Sequence, residues 1–158
     1  EDARALLAAV AGPDRVAAET GAADEVARLC GHLPLAVRIA ATRLAQRPHS
    51  SLRAFAERLA DERGRLDELC LAGVGARSGP ARVHERLGEQ ARSAVGRIAG
   101  LGPRDVSERE VTDLLGDAVV EELMAFGLLE PRGVDGTGEP RYRLPELFRV
   151  YVLERREG

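Results

Sequence analysis

Apolar residues recur along this chain every three to four positions, and the interruptions fall where helices have to end. Ala3, Leu6, Leu7 and Val10 keep the spacing of one helix face up to Gly12-Pro13, which stops it. A second short helix is expected after Asp14. Val26, Leu29, Cys30 and Leu33 repeat the spacing, and that segment closes near Gly31-His32, just before Pro34. A proline fits the first turn of a helix, where its missing N–H costs nothing, so Pro34 is expected to open a helix running to about Gln46. Leu35, Ala36, Val37, Ile39, Ala40, Ala41 and Leu44 cover nearly its whole circumference, which predicts the central, buried helix of the first module. Ser50 or Ser51 offers a cap oxygen for the next stripe, Leu52, Phe55, Ala56 and Leu59, which Leu66 and Leu69 extend. Residues 1 to about 70 thus read as four or five packed helices.

From Gly73 to Pro80 the periodicity lapses, and three glycines suggest a linker between modules, 1–75 and 76–158. A long helix carrying Val83, Leu87, Ala91, Ala94, Val95 and Ile98 is expected next. After Gly102-Pro103, Ser107 with Glu110 three residues on fits a capping box opening a helix through Leu115. Gly116 breaks it, and Asp117 caps another that contains Val119, Val120, Leu123, Met124 and Phe126 and ends at Gly127. Leu128-Leu129-Glu130 and Arg141-Tyr142-Arg143-Leu144 can pair as short strands around a loop at 131–140. A last helix from Pro145 buries Leu147, Phe148, Tyr151 and Val152. The expected fold is therefore mainly α, a helical bundle followed by a winged helix with one small β-hairpin.

Composition removes several kinds of chemistry. All 23 basic residues are arginine, so the lysine of a phosphate-binding P-loop is absent from this chain. His32, His49 and His84 are too widely spaced for a zinc motif, and no Gly-x-Ser-x-Gly elbow frames a nucleophile. The carboxylate pairs Asp61-Glu62 and Asp67-Glu68 alternate with Arg58, Arg63 and Arg65, as on a solvated helix face. No catalytic residue, no metal site and no enzyme activity are expected. Cys30 and Cys70 lie in apolar text read as helical and are expected to be reduced core thiols. With no apolar run long enough for a membrane span and no signal peptide, the chain reads as soluble and cytoplasmic. It opens at Glu1, and its one methionine is Met124, which reads as a fragment of a longer polypeptide.

Charge speaks against DNA binding by the winged helix. Residues 107–127 hold six acidic side chains, Glu108, Glu110, Asp113, Asp117, Glu121 and Glu122, against Arg109 alone, a net of −5. A helix of that charge repels phosphate, whereas groove binding draws on several neutralised phosphates. Arg132, Arg141 and Arg143 on the hairpin are available, but residues 128–158 balance at six acidic and six basic. The rival reading is a stand-alone DNA-binding winged-helix regulator with a helical ligand or dimerisation domain.

One stretch goes beyond composition. Cys30-Gly31-His32-Leu33-Pro34-Leu35-Ala36 resembles the Gly-Leu-Pro-Leu-Ala motif of NB-ARC domains, the nucleotide switch of STAND-class signalling ATPases. The continuation through Ala60-Asp61-Glu62-Arg63 is closer to actinobacterial regulators of the Streptomyces antibiotic regulatory protein type. The resemblance implies an ARC1-like bundle and an ARC2-like winged helix that close over ADP or ATP bound mainly by an upstream P-loop domain of the same chain. It also implies helical repeats downstream, self-association, and DNA contact only through another domain. Pro34 matches the proline that packs near adenine, with Leu33 and Leu35 beside it and His32 where many relatives have glycine. A helix-opening proline would look the same. The family's Met-His-Asp motif falls at Leu144-Pro145-Glu146, where Pro145 has no donor for a phosphate and Arg143 is the nearest substitute.

Overall fold

The computed structural model describes residues 2–157, and the chain divides into two compact units, Glu1–Ser78 and Gly79–Gly158. The protein is mainly α: among the described residues, eleven helices accompany five short strands.

The first unit contains α1 (Asp2–Ala11), α2 (Pro13–Ala18), α3 (Thr20–Leu29), α4 (Pro34–Gln46), α5 (Leu52–Ala60) and α6 (Arg65–Glu68), then a hairpin of β1 (Cys70–Leu71) and β2 (Val74–Gly75). α1 packs on α4 and α3 on α5. The expected central helix is α4, whose Ala36, Val37, Ile39, Ala40, Ala41 and Leu44 are all buried. Removing this apolar surface from water, at roughly 25 cal/mol per Å², drives the packing. Six helices form where four or five were expected, because Asp61–Gly64 interrupts the α5 stripe and leaves Leu66 and Leu69 buried around a separate single turn.

The α1 face differs from its expectation. Ala3, Leu7 and Ala11 are the buried set, four residues apart, and Val10 is exposed. The cysteine reading changes as well. Cys30 is a free, fully buried thiol that burial pushes up to about 12, so it stays protonated core filler. Cys70 is also free but sits on β1, only partly buried, rather than in a helix.

Gly73–Pro80 is no unstructured linker. Ala72 and Gly73, at φ 53° and 80°, form the two-residue turn of the β1–β2 hairpin, and α7 (Ser78–Arg86) begins three residues after β2. The long helix expected next is two, α7 and α8 (Glu89–Ala99), separated by Gly88 in an extended conformation.

The second unit continues with β3 (Val106–Ser107), α9 (Glu108–Leu115), α10 (Asp117–Ala125), β4 (Glu130–Val134), β5 (Pro140–Arg143) and α11 (Glu146–Glu157). Its core gathers Val95, Ile98, Val111, Leu123, Leu144 and Phe148. Two details correct the expected hairpin. Leu128 and Leu129 are buried before the strand begins, so β4 runs on through Val134 into the expected loop. A third strand also joins, giving an antiparallel sheet in the order β3-β5-β4. The Ser107–Glu110 capping box is present with both bonds at 3.0 Å. Those bonds hold the Glu110 carboxyl below its usual range, the Ser107 backbone N–H contributing most and Arg104 next. At φ 84°, Gly116 ends α9 and precedes α10, a conformation that glycine adopts without strain. Helix, helix, strand, helix, helix and wing is winged-helix order.

Candidate functional site

The start of α4 combines features that rarely coexist. α3 ends in a reversal through Gly31 (φ 65°) and His32 (φ 55°), fixed by bonds from Gly31 N to Arg28 O at 2.9 Å and from His32 N to Ala27 O at 3.0 Å. This left-handed geometry suits glycine and costs a histidine about 1 kcal/mol. Leu33 is then extended and Pro34 occupies the first turn. No side chain caps this N-terminus, so the first-turn N–H of Leu35 lacks the intrahelical acceptor that later residues have.

The surroundings are apolar yet open. Leu33 and Leu35 are 46% and 42% exposed, and His32 and Pro34 are exposed too, while Ala36 and Val37 one residue further are buried. The four residues singled out in the first unit thus meet at one helix end, beside the positive end of a 13-residue helix dipole.

Arg143 lies on β5 of the second unit, and its guanidinium is engaged. Nε donates to Asp105 Oδ1 at 2.7 Å, and the same carboxylate oxygen lies 3.7 Å from Arg132 Nε. Arg141 Nη2 donates to the Asp105 carbonyl at 3.1 Å. Asp105 therefore ties down all three arginines that were considered for a backbone contact. Pro145 precedes α11 and accepts from Arg149 N at 2.9 Å, while Glu146 pairs with Arg149 at 2.9 Å.

The α9–α10 surface keeps its negative charge. Glu108, Asp113, Asp117 and Glu121 are exposed, and Glu122 accepts from Gly88 N at 2.7 Å. At the wing tip the Asp135 carboxylate accepts from Thr137 Oγ1, Glu139 N and Thr137 N, bonds that hold it below the usual carboxylate range.

Sequence reasoning missed a concave feature of this unit, a cavity of about 550 Å³ among α7, α8 and α11 lined by Arg92, Arg97, Arg155 and Arg156. On each helix these residues sit on a polar face like that of any solvated helix, and only the pairing of α8 with α11 brings them together. Among the described residues, no cluster of three or more His, Cys, Asp and Glu side chains could hold a metal ion, and no helix is long and apolar enough to cross a membrane.

Fold and site together define a helical module joined in sequence to a winged helix. Two curated relatives match nearly all of it. The chain is 38% identical over 155 residues to regulatory protein AfsR of Streptomyces griseus, covering 96% of this chain and 16% of that protein. It is likewise 38% identical over 164 residues to regulatory protein AfsR of Streptomyces coelicolor, covering 96% of this chain and 15% of that protein. The chain therefore spans about one-sixth of the length of these relatives. No family profile matches the chain, and no solved structure matches it.

Proposed function

We propose that this chain is the lid portion of a multidomain transcriptional regulator of the NB-ARC type, acting in the cytoplasm. It closes over ADP or ATP held mainly by an upstream nucleotide-binding domain and passes nucleotide state to a neighbouring activation or oligomerisation surface. The chain itself catalyses nothing, and DNA is contacted by another domain. The observation that carries this reading is the start of α4, where Leu33, Pro34 and Leu35 stand exposed at an uncapped N-terminus of an otherwise buried helix. Exposed leucines beside the uncapped N-terminus of a helix suit a ligand with an apolar ring and an anionic tail. The name of the relatives, regulatory proteins several times longer than this chain, supports placing the nucleotide-binding domain and helical repeats elsewhere in one polypeptide.

In this role, Arg143 reaches a phosphate by exchanging Asp105 for it, taking over from the family histidine that Pro145 replaces. Ligand contact with both halves stabilises the closed state by mass action. The test is calorimetric titration of ATP and ADP into a polypeptide that includes the upstream region, alongside Leu35→Glu and Arg143→Ala variants. Each variant is expected to weaken at least one nucleotide about tenfold, the loss of one modest contact. Unchanged affinity for both nucleotides in both variants removes the proposal.

A further inference from the structure

Within the second unit, α8 and α11 each turn a four-residue face toward the same cavity. Arg92, Ser93, Gly96 and Arg97 come from α8, and Tyr151, Val152, Arg155 and Arg156 from α11, with His84 and Glu85 of α7 closing the rim. Four guanidiniums against the single carboxylate of Glu85 leave this lining at a net +3 with His84 neutral. Among the described residues no carboxylate lies within ion-pair distance of any of the four, in a chain where Arg4, Arg53, Arg104 and Arg143 all find acidic partners.

Their polar contacts are instead to groups that leave donors over. Arg92 Nη1 reaches Leu87 O at 2.8 Å and Glu85 O at 3.4 Å, Arg155 Nη1 reaches Tyr151 Oη at 3.5 Å, and Arg156 Nη1 reaches Gly96 O at 2.8 Å. A guanidinium has five N–H donors, so each retains several.

The helix itself makes room for this arrangement. Gly96 lies inside α8, where glycine costs about 1 kcal/mol relative to alanine, and Gly100 ends it. A Cβ on Gly96 would meet Arg156 Cδ at 3.5 Å, and one on Gly100 would fall 2.6 Å from Arg156 Nη1. At Gly96 that is an ordinary contact, and at Gly100 the Arg156 head, which lines the cavity, would have to shift. At the rim, His84 packs edge-on to Tyr151 at 5.7 Å. Burial, then Arg155 and Arg92, hold the His84 imidazole below its usual range, with Glu85 opposing.

We propose that the α7–α8–α11 cavity is a binding site for a small oligophosphate anion, held by Arg92, Arg97, Arg155 and Arg156. Arginine forks match phosphate oxygens in pairs, and several of them converging favour two or more linked phosphates over a single monoanion. The size is that of a small-molecule site. A long polyanion is disfavoured because the α9–α10 surface of the same unit is strongly acidic. The site is separate from the α4 start and stands without the nucleotide-lid reading.

The test is calorimetric titration of sodium tripolyphosphate into the 158-residue chain at about 0.15 M salt, with sodium sulfate as the competing anion. Saturable one-to-one binding that sulfate displaces only weakly is expected. Arg97→Ala and Arg155→Ala change exposed side chains and should each weaken binding about tenfold, the effect of one charge-assisted contact. Arg109→Ala, on α9, and Leu35→Glu, at the α4 start, should leave it unchanged. The His84 ring resonances should titrate at higher pH with tripolyphosphate bound, because an anion favours the charged imidazole. No saturable binding overturns the proposal, as does equal weakening by Arg109→Ala, which marks nonspecific attraction. Loss of binding in Leu35→Glu places the anion at α4, and tighter binding of a short DNA duplex with the same arginine dependence makes the cavity a nucleic-acid contact. Either result also overturns it.

Discussion

α4 and α5 both begin after an extended residue, Leu33 at φ −81°, ψ 126° and Ser51 at φ −79°, ψ 153°. Their chemistry then diverges. The α5 start is closed by the chain's own oxygens: Ser51 Oγ accepts from Ala54 N at 3.0 Å, and Glu19 accepts from Leu52 N at 2.9 Å and Arg53 N at 3.2 Å. The C-terminal end of α4 is closed as well, by Arg15 donating to the carbonyls of Leu44 at 2.7 Å, Arg47 at 3.2 Å and Ser50 at 2.7 Å. Of these three ends, only the α4 start lacks a side-chain bond, and Leu33 stands at its cap position.

The contrast can be broken by mutation. Arg15→Ala should cause the largest change, a loss of about 2–3 kcal/mol in urea unfolding, because three carbonyls lose a charged donor at the negative end of the α4 dipole. A loss well under 1 kcal/mol would mean that water replaces the guanidinium and that this end is not closed by the protein. Ser51→Ala should cost about 1 kcal/mol, with Glu19 still in place to hold the first turn of α5. Leu33→Asp, which supplies the missing cap, should act in the opposite direction. A carboxylate at that position gains about 0.5–1 kcal/mol and competes with a phosphate for the same N–H groups, so stability should rise while nucleotide affinity of the longer polypeptide falls. Destabilisation by Leu33→Asp would show that Leu33 is needed for packing and that the open end is incidental.

How much of this could be read in advance depended on how local the cause was. α4 was legible because a proline starts it and apolar residues surround it, and α9 because Ser107 and Glu110 alone complete its box. The β1–β2 hairpin was hidden by Ala72, since its two-residue turn needs φ above zero at both positions and the usual sign is Asn-Gly, not Ala-Gly. The break at Gly88 was hidden by Leu87, which is buried and continues the apolar rhythm of α7 into α8. β3 is two residues long and exists only because β5 is beside it. For the site, His32, Leu33, Pro34 and Leu35 were contiguous in the text, whereas the arginine cavity joins positions about sixty residues apart, a distance no spacing rule spans.

Arg43, on the last turns of α4, donates through Nη2 to the Cys70 carbonyl at the base of the β1–β2 hairpin. With Arg15 gripping the same end, the thirteen residues of α4, about 20 Å long, are fixed at their last turn beside the strand pair that leads the chain toward α7. Those bonds join the last turn of α4, the Arg47–Ser50 turn and the base of the β1–β2 hairpin into one block.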